Sequence, residues 1–187
     1  EMPELPEVET VVRDLQKRVV GRRILDVWTD WPKYFKGMSL AQFKKHVVGK
    51  KILGVSRRGK NILIEIYGDY LISVHLKMTG HLLAGKWESA KGKSQSGKQE
   101  WIPERKMKEM HDPKNGFIRL IFFLDSKQYP MLALSDLRRF AKVLVGPKEE
   151  LLNSPDLKNL GQEALEITYK DFRELFKNKK GKIKQVL

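Results

Sequence analysis

Apolar positions in the first fifty residues recur at helical intervals. Val8, Val11, Val12, Leu15 and Val19 put one stripe on a helix over Val8–Val20, and Gly21 supplies its stop. A shorter stripe of Leu40, Phe43 and Val47 predicts a helix over Ser39–Val48, with Ser39 and Gln42 in a capping-box pattern and Gly49 at its end. Around these helices the period changes to that of strands. ILDVW, KILGVS, NILIEIY, YLISVHL, FIRLIFFL, PMLALS and FAKVLV are short β-branched or aromatic runs punctuated by Gly, Asp and Asn. Between Ile66 and Leu71 the string Tyr67-Gly68-Asp69-Tyr70 reads as a tight hairpin turn. The pattern predicts a β-rich α+β fold: an antiparallel β-sandwich of about eight strands flanked by helices.

Two stretches break this texture. From Gly85 to Gly116 the chain is polar and rich in Lys, Ser, Gly and Gln, a loop long enough to be mobile or functional. After Gly146-Pro147, Thr168 and Asp171 can cap a helix carrying Phe172, Leu175 and Phe176, and the basic run KNKKGKIK leads into what reads as the opening of another helix. The expected organisation is a β-rich domain over 1–146, then a linker and the beginning of a helical module over 147–187.

Composition narrows the function. With 41% hydrophobic residues the chain can bury a core, and it contains neither an apolar run of membrane-spanning length nor a secretory leader, so a soluble, cytosolic protein is expected. Lys+Arg 37 against Asp+Glu 23 gives a net charge of +14, which points to a polyanion, nucleic acid before anionic membrane. No cysteine is present, which removes disulfides, thiol catalysis and cysteine zinc sites from this chain. His46, His75, His81 and His111 lack the close pairing of zinc ligands, so no metal site is expected among these residues.

The chemistry-bearing strings are PELPEVE (3–9), RRGKN (57–61), HLKMTG (75–80) and SDLRRFAKV (135–143). Each alone has an ordinary explanation. Pro6, Glu7 and Glu9 suit the first turn of a helix, RRGK a solvated turn, Met78 a core filler, His75 a half-buried histidine, and Arg138 to Phe140 a strand edge. Pro3 and Glu4 remain unexplained by a helix start. Together, in this order and spacing, the four strings resemble the formamidopyrimidine-DNA glycosylase family over nearly the whole chain, from PELPEVET to KKGKIKQVL. PELPEVE is specific: the related endonuclease VIII branch reads PEGPE, and Leu5 places this chain on the other side.

The resemblance implies a base-excision-repair enzyme of two linked activities, a DNA glycosylase for oxidised purines (8-oxoguanine and formamidopyrimidines) and an abasic-site lyase. Pro3 would be the nucleophile, because an α-amino group titrates at about 7.7–8.0 and is partly neutral near pH 7. Its attack on the sugar C1′ displaces the base and forms a Schiff base. Glu4 matches the acid/base carboxylate, Glu7 a second carboxylate that positions the site, and Lys60 the lysine that reaches the phosphate and sugar and assists elimination. Arg57 and Arg58 would meet phosphates or solvent. Met78, Arg138 and Phe140 match three residues that fill the void left by an extruded base. His75, His111 and Lys179 match contacts to the DNA backbone, which fix register without reading sequence. The implied partner is damaged double-stranded DNA, met by a monomer in the bacterial cytoplasm at the nucleoid. No cofactor is implied within this chain, and one zinc ion is implied in a C-terminal zinc finger.

The chain departs from the family pattern in several places. Lys77 stands where HLGMTG has glycine, Ala141 replaces the glycine after RRF, and the loop 85–116 is longer and more basic than expected. Glu1-Met2 precede Pro3, and an amide nitrogen shares its lone pair with the carbonyl, so a chain retaining them is expected to be catalytically silent. The helix-two-turn-helix module and zinc finger are absent from the sequence, so a truncated form is expected. Two other readings are an endonuclease VIII-like enzyme acting on oxidised pyrimidines, and a DNA-binding module without catalysis.

Overall fold

The computed structural model describes residues 3–90, 99–104, 108–163, 165–177 and 179–181. Glu1-Met2, the middle of the loop 85–116 and the end of KKGKIKQVL lie outside them.

The first helix, α1 (Leu5–Val19), begins three residues before the predicted stripe because Glu4 takes the extended cap position and Pro6 fits the first turn. Its buried residues are Val8, Val12, Leu15 and Val19, one face at helical spacing. The second, α2 (Leu40–Val47), has the reciprocal Ser39–Gln42 capping box read from the sequence and buries Phe43 and Val47. Phe43 stacks on Phe35 with ring centroids 4.0 Å apart.

Two antiparallel four-stranded sheets enclose the core. One has the order β1 (Ile24–Thr29), β8 (Ile118–Leu124), β9 (Met131–Asp136), β5 (Gly80–Gly85); the other has β10 (Lys142–Pro147), β4 (Tyr70–His75), β3 (Asn61–Ile66), β2 (Ile52–Arg58). The hairpin between β3 and β4 closes with Ile66 opposite Tyr70, and Gly68 and Asp69 supply its two positive φ angles. One buried cluster draws on α1, α2 and both sheets, including Leu15, Phe43, Ile64, Ile72, Phe122 and Leu134. This is the expected sandwich of eight strands.

Two more strands, β6 (Trp87–Ser89) and β7 (Trp101–Pro103), form a ribbon inside the stretch predicted as a loop. Trp87 and Met110 pack on Ile118, Ile121 and Ala133, with Trp28 and Trp101 beside them, in a second cluster against the first sheet. Strand β8 is therefore buried on both faces, which accounts for the nearly unbroken apolar run FIRLIFFL. Strand β5, GHLLAG, is not among the runs read from the sequence; it is bounded by glycines at both ends.

Beyond β10 come α3 (Lys148–Leu152) and α4 (Pro155–Lys158). Leu157 is buried against Leu63 and Leu71, so this part of the chain lies on the second sheet. The last helix among the described residues, α5 (Tyr169–Phe176), is capped by Thr168 as predicted and buries none of its residues. No described helix is long and apolar enough to cross a membrane.

Candidate active site

The first turn of α1 separates two cavities. Pro3 and Glu7 line one of about 630 Å³, together with Thr10, Met78 and His81. Leu5, two residues after Pro3, lines another of about 440 Å³ with Lys60, His75, Lys77 and Lys142. Glu7 Oε2 accepts the backbone N–H of Glu4 at 3.1 Å. That bond ties down the extended residue ahead of the helix, and with it the direction in which Pro3 leaves the turn. Glu4 itself is exposed.

Lys60 sits in a two-residue turn between β2 and β3, where Arg58 pairs with Asn61. Gly59, at φ +54°, occupies the first central position, the arrangement of a type II′ hairpin. Of the two arginines ahead of it, expected to meet phosphates or solvent, Arg57 is buried in ion pairs and Arg58 keeps 30% of its side chain exposed. The Arg57 side chain is only 6% exposed: its Nε donates to Glu9 Oε2 at 2.6 Å, and its Nη1 pairs with Glu163. Arg58 donates to the Leu160 carbonyl at 2.7 Å and lies 3.3 Å from Glu163. The sequence cannot show this, because the carboxylates come from α1 and from more than a hundred residues downstream.

At the end of β4, His75 Nδ1 accepts the Lys77 N–H at 3.0 Å. Burial, then the Lys77 and Lys60 charges, hold its imidazole below the usual histidine range against the opposing pull of Asp156. The neutral ring therefore carries its proton on Nε2, as a donor. Lys142 is paired with Asp156 of α4.

The proposed void-fillers stand on two tied loops. Met78, 39% exposed, is on the turn Leu76–Gly80, closed by a 3.0 Å bond from Gly80 N–H to the Leu76 carbonyl. A Cβ at residue 80 would lie 2.4 Å from that carbonyl oxygen, so glycine is required there. Lys77 has φ +56°, which explains why glycine is the expected residue at that position. On the other loop the Arg138 guanidinium lies 4.7 Å from the centre of the Phe140 ring, which is 51% exposed. Arg139, at φ +60°, turns instead to Asp30 (3.5 Å) and the Trp31 ring (4.7 Å).

Asp136 joins the two loops. Its fully buried carboxylate accepts Thr79 Oγ1 at 2.5 Å on one oxygen, and Tyr34 OH at 3.1 Å and Ala141 N–H at 2.9 Å on the other. Thr79 Oγ1 also accepts the Arg138 N–H at 3.1 Å. Burial and the Asp136 charge push the Tyr34 hydroxyl far up, so it stays a donor. Ala141 lies outside the left-handed region, so its methyl group is tolerated where glycine was expected.

The structure thus brings Pro3, Glu7 and Met78 to one cavity and Lys60 and His75 to the other. Glu4, Arg138, Phe140, His111 and Lys179 line neither. His111 is exposed at the end of a 3-10 turn (Lys108–His111), and Lys179 is exposed just past α5. Sequence reasoning passed over His81, Lys114, Phe117 and Leu137, which share the cavity with Pro3. Leu137 is 55% exposed beside Arg138, an apolar exposure that only the fold reveals. Among the described residues no group of three or more His, Asp or Glu could hold a metal ion.

Comparison with known proteins shows which family the chain resembles over its length. The description of the formamidopyrimidine-DNA glycosylase N-terminal domain matches residues 2–143. The formamidopyrimidine-DNA glycosylase of Pelotomaculum thermopropionicum is 33% identical over the whole chain and 59% of its own length, and that of Heliobacterium modesticaldum is 32% identical over the whole chain and 60% of its own. The chain therefore spans about three fifths of these relatives. Among solved structures, Lactococcus lactis Fpg (MutM) bound non-covalently to DNA with an abasic site superposes with a TM-score of 0.67 at 30% identity, over 93% of this chain and 56% of that one. A MutM complex with DNA containing carbocyclic 8-oxo-G gives 0.67 at 30% identity, over 93% and 55%.

Proposed function

The chain belongs to the formamidopyrimidine-DNA glycosylase family, and on that premise we propose that it carries the catalytic half of a glycosylase and abasic-site lyase that removes oxidised purines from double-stranded DNA. The observation that carries this reading is the placement of the first turn of α1. It sets Pro3 at the rim of a cavity edged by exposed apolar side chains (Met78, Leu137), while Leu5 faces the cavity bearing Lys60, His75 and Lys77.

In the proposed reaction the Pro3 nitrogen, freed of any preceding peptide bond, attacks C1′ of the extruded nucleotide as the glycosidic bond breaks. Glu4 delivers a proton to the sugar ring oxygen as the ring opens to the Schiff base, and then serves in later transfers. Loss of a C2′ proton expels the 3′ phosphate, with Lys60 stabilising the leaving charge. Met78, Phe140 and Arg138 occupy the vacated space, the two apolar side chains against the stack and the guanidinium toward the unpaired base. His75 donates Nε2–H to a phosphate oxygen, and His111 and Lys179 meet the backbone farther out. The implied zinc ion belongs to cysteines this chain does not contain, and no step here uses it.

The decisive measurement is borohydride trapping on abasic duplex DNA by a full-length version with Pro3 as the first residue. Crosslinking is expected there, retained in part by Pro3→Gly through its primary amine, and absent while Glu1-Met2 remain. Glu4→Gln is expected to lose base excision more than binding. Efficient crosslinking by a chain with Glu1-Met2 intact would instead make another amine, Lys60 first, the nucleophile. Lesion class is decided by base release from paired duplexes, since one Lactococcus lactis Fpg complex holds an oxidized pyrimidine containing DNA. Binding without any release would leave a non-catalytic DNA-binding module.

A further inference from the structure

Glu163 lies outside every string that carries the family resemblance, between α4 and α5, yet it is among the most engaged carboxylates of the molecule. Its side chain is 12% exposed. Oε1 accepts the Gly59 N–H at 2.6 Å and stands 3.3 Å from Arg58 Nη1, while Oε2 pairs with Arg57 Nη1. Arg57 continues to Glu9 on α1, and Glu9 to Arg13 at 2.8 Å. Three residues before Glu163, the Leu160 carbonyl takes the other end of Arg58, and its side chain lies against Gly59.

A surface ion pair with this composition would do little. This one differs in what it holds. The bond to Gly59 N–H fixes the peptide at the first central position of the turn whose second central residue is Lys60. The two arginine contacts fix the strand that leads into the turn. Burial alone would push the Glu163 carboxyl up, but the Gly59 N–H, then Arg57 and Arg58, outweigh it and hold the group below the usual range. It is a standing negative charge beside the cationic side chains of Arg57, Arg58 and Lys60, which Gly59 interrupts.

We propose that Glu163 is a positioning residue for Lys60, through which the segment after β10 sets the lysine-bearing turn against the α1 turn that carries Pro3. This rests on the proposed role of Lys60 in elimination. It assigns to the segment 160–163 a part in the reaction that the matched region 2–143 does not contain.

The test separates the Pro3 step from the Lys60 step. Glu163→Gln keeps shape and an acceptor for Gly59 but removes the charge; Glu163→Ala removes both. With Pro3 as first residue, crosslinking to abasic DNA should stay within about twofold in both variants, while strand cleavage per crosslink falls by about tenfold or more, further in Glu163→Ala. In a Lys60→Ala background neither Glu163 variant should cause additional loss of cleavage, since residues acting as a unit are not additive. Amide exchange at Gly59, read by NMR, should quicken in Glu163→Ala while Ile64, in the middle of β3, keeps its protection. Equal loss of crosslinking and cleavage, or losses that multiply with Lys60→Ala, would overturn the proposal. If the parent protein neither crosslinks nor cleaves, the proposed function fails, and unchanged Gly59 exchange in Glu163→Ala would separately overturn the clamp.

Discussion

Lys77 shows how a single backbone angle carries a cost that the side chain conceals. At φ +56° an L-residue is strained, and the local bond its backbone N–H makes to His75, two residues earlier, would survive a glycine there. Left-handed backbone costs an L-residue about 1–2 kcal/mol, offset in part by the greater freedom glycine has in the unfolded chain, so Lys77→Gly should stabilise the fold by about 0.5–1 kcal/mol. A thermal melt that shows no rise would mean that the lysine side chain makes contacts worth as much as the strain. The departure from HLGMTG was legible in the sequence, and only the angle supplies its physical reason. Arg57 is the opposite case: its charge was plain, but its partners Glu9 and Glu163 are 48 and 106 residues away.

Elements were legible where the apolar period was clean and where caps agreed with it, as in α1, α2 and α5. Strand β5 and the β6–β7 ribbon were not, because short strands bounded by glycine or polar residues gain their stability from the neighbour they pair with. The Met78 turn and the Arg138–Phe140 loop illustrate the same dependence, since Thr79 and Asp136 make them one unit. Thr79→Val removes a donor from a buried carboxylate and an acceptor from Arg138 N–H, and should cost about 1–3 kcal/mol. If the wedge acts as a unit, Met78→Ala and Phe140→Ala should be non-additive on lesion excision in the parent protein and additive in Thr79→Val. Cleavage at an abasic site should be largely spared in all of them, because no stacked base needs extruding. Equal loss on both substrates would refute the void-filling role.

Across the whole molecule, charge and shape act together. A net charge of +14, with Lys60, Lys77, Lys114 and Lys142 among the residues lining the two cavities, favours a polyanion over any neutral partner. Duplex DNA binding should be weak and fall steeply with salt. If four phosphates are neutralised, counterion release predicts a loss of about a hundredfold between 50 and 200 mM salt. Titrations insensitive to salt across that range would argue against an electrostatic cleft.

What the amino-acid sequence determined by itself was local or contiguous: the helix stripes and caps, most sandwich strands, the sign of the partner's charge, and the strings that carry the family resemblance. What only the tertiary structure decided was how those strings meet. Asp136 joining two loops, Glu163 reaching back to the turn of Lys60, and the first turn of α1 dividing two cavities all depend on side chains brought together by the closure of two sheets over one core. Periodicity reports which face of an element is buried, but it holds no information about which distant residue will lie against that face.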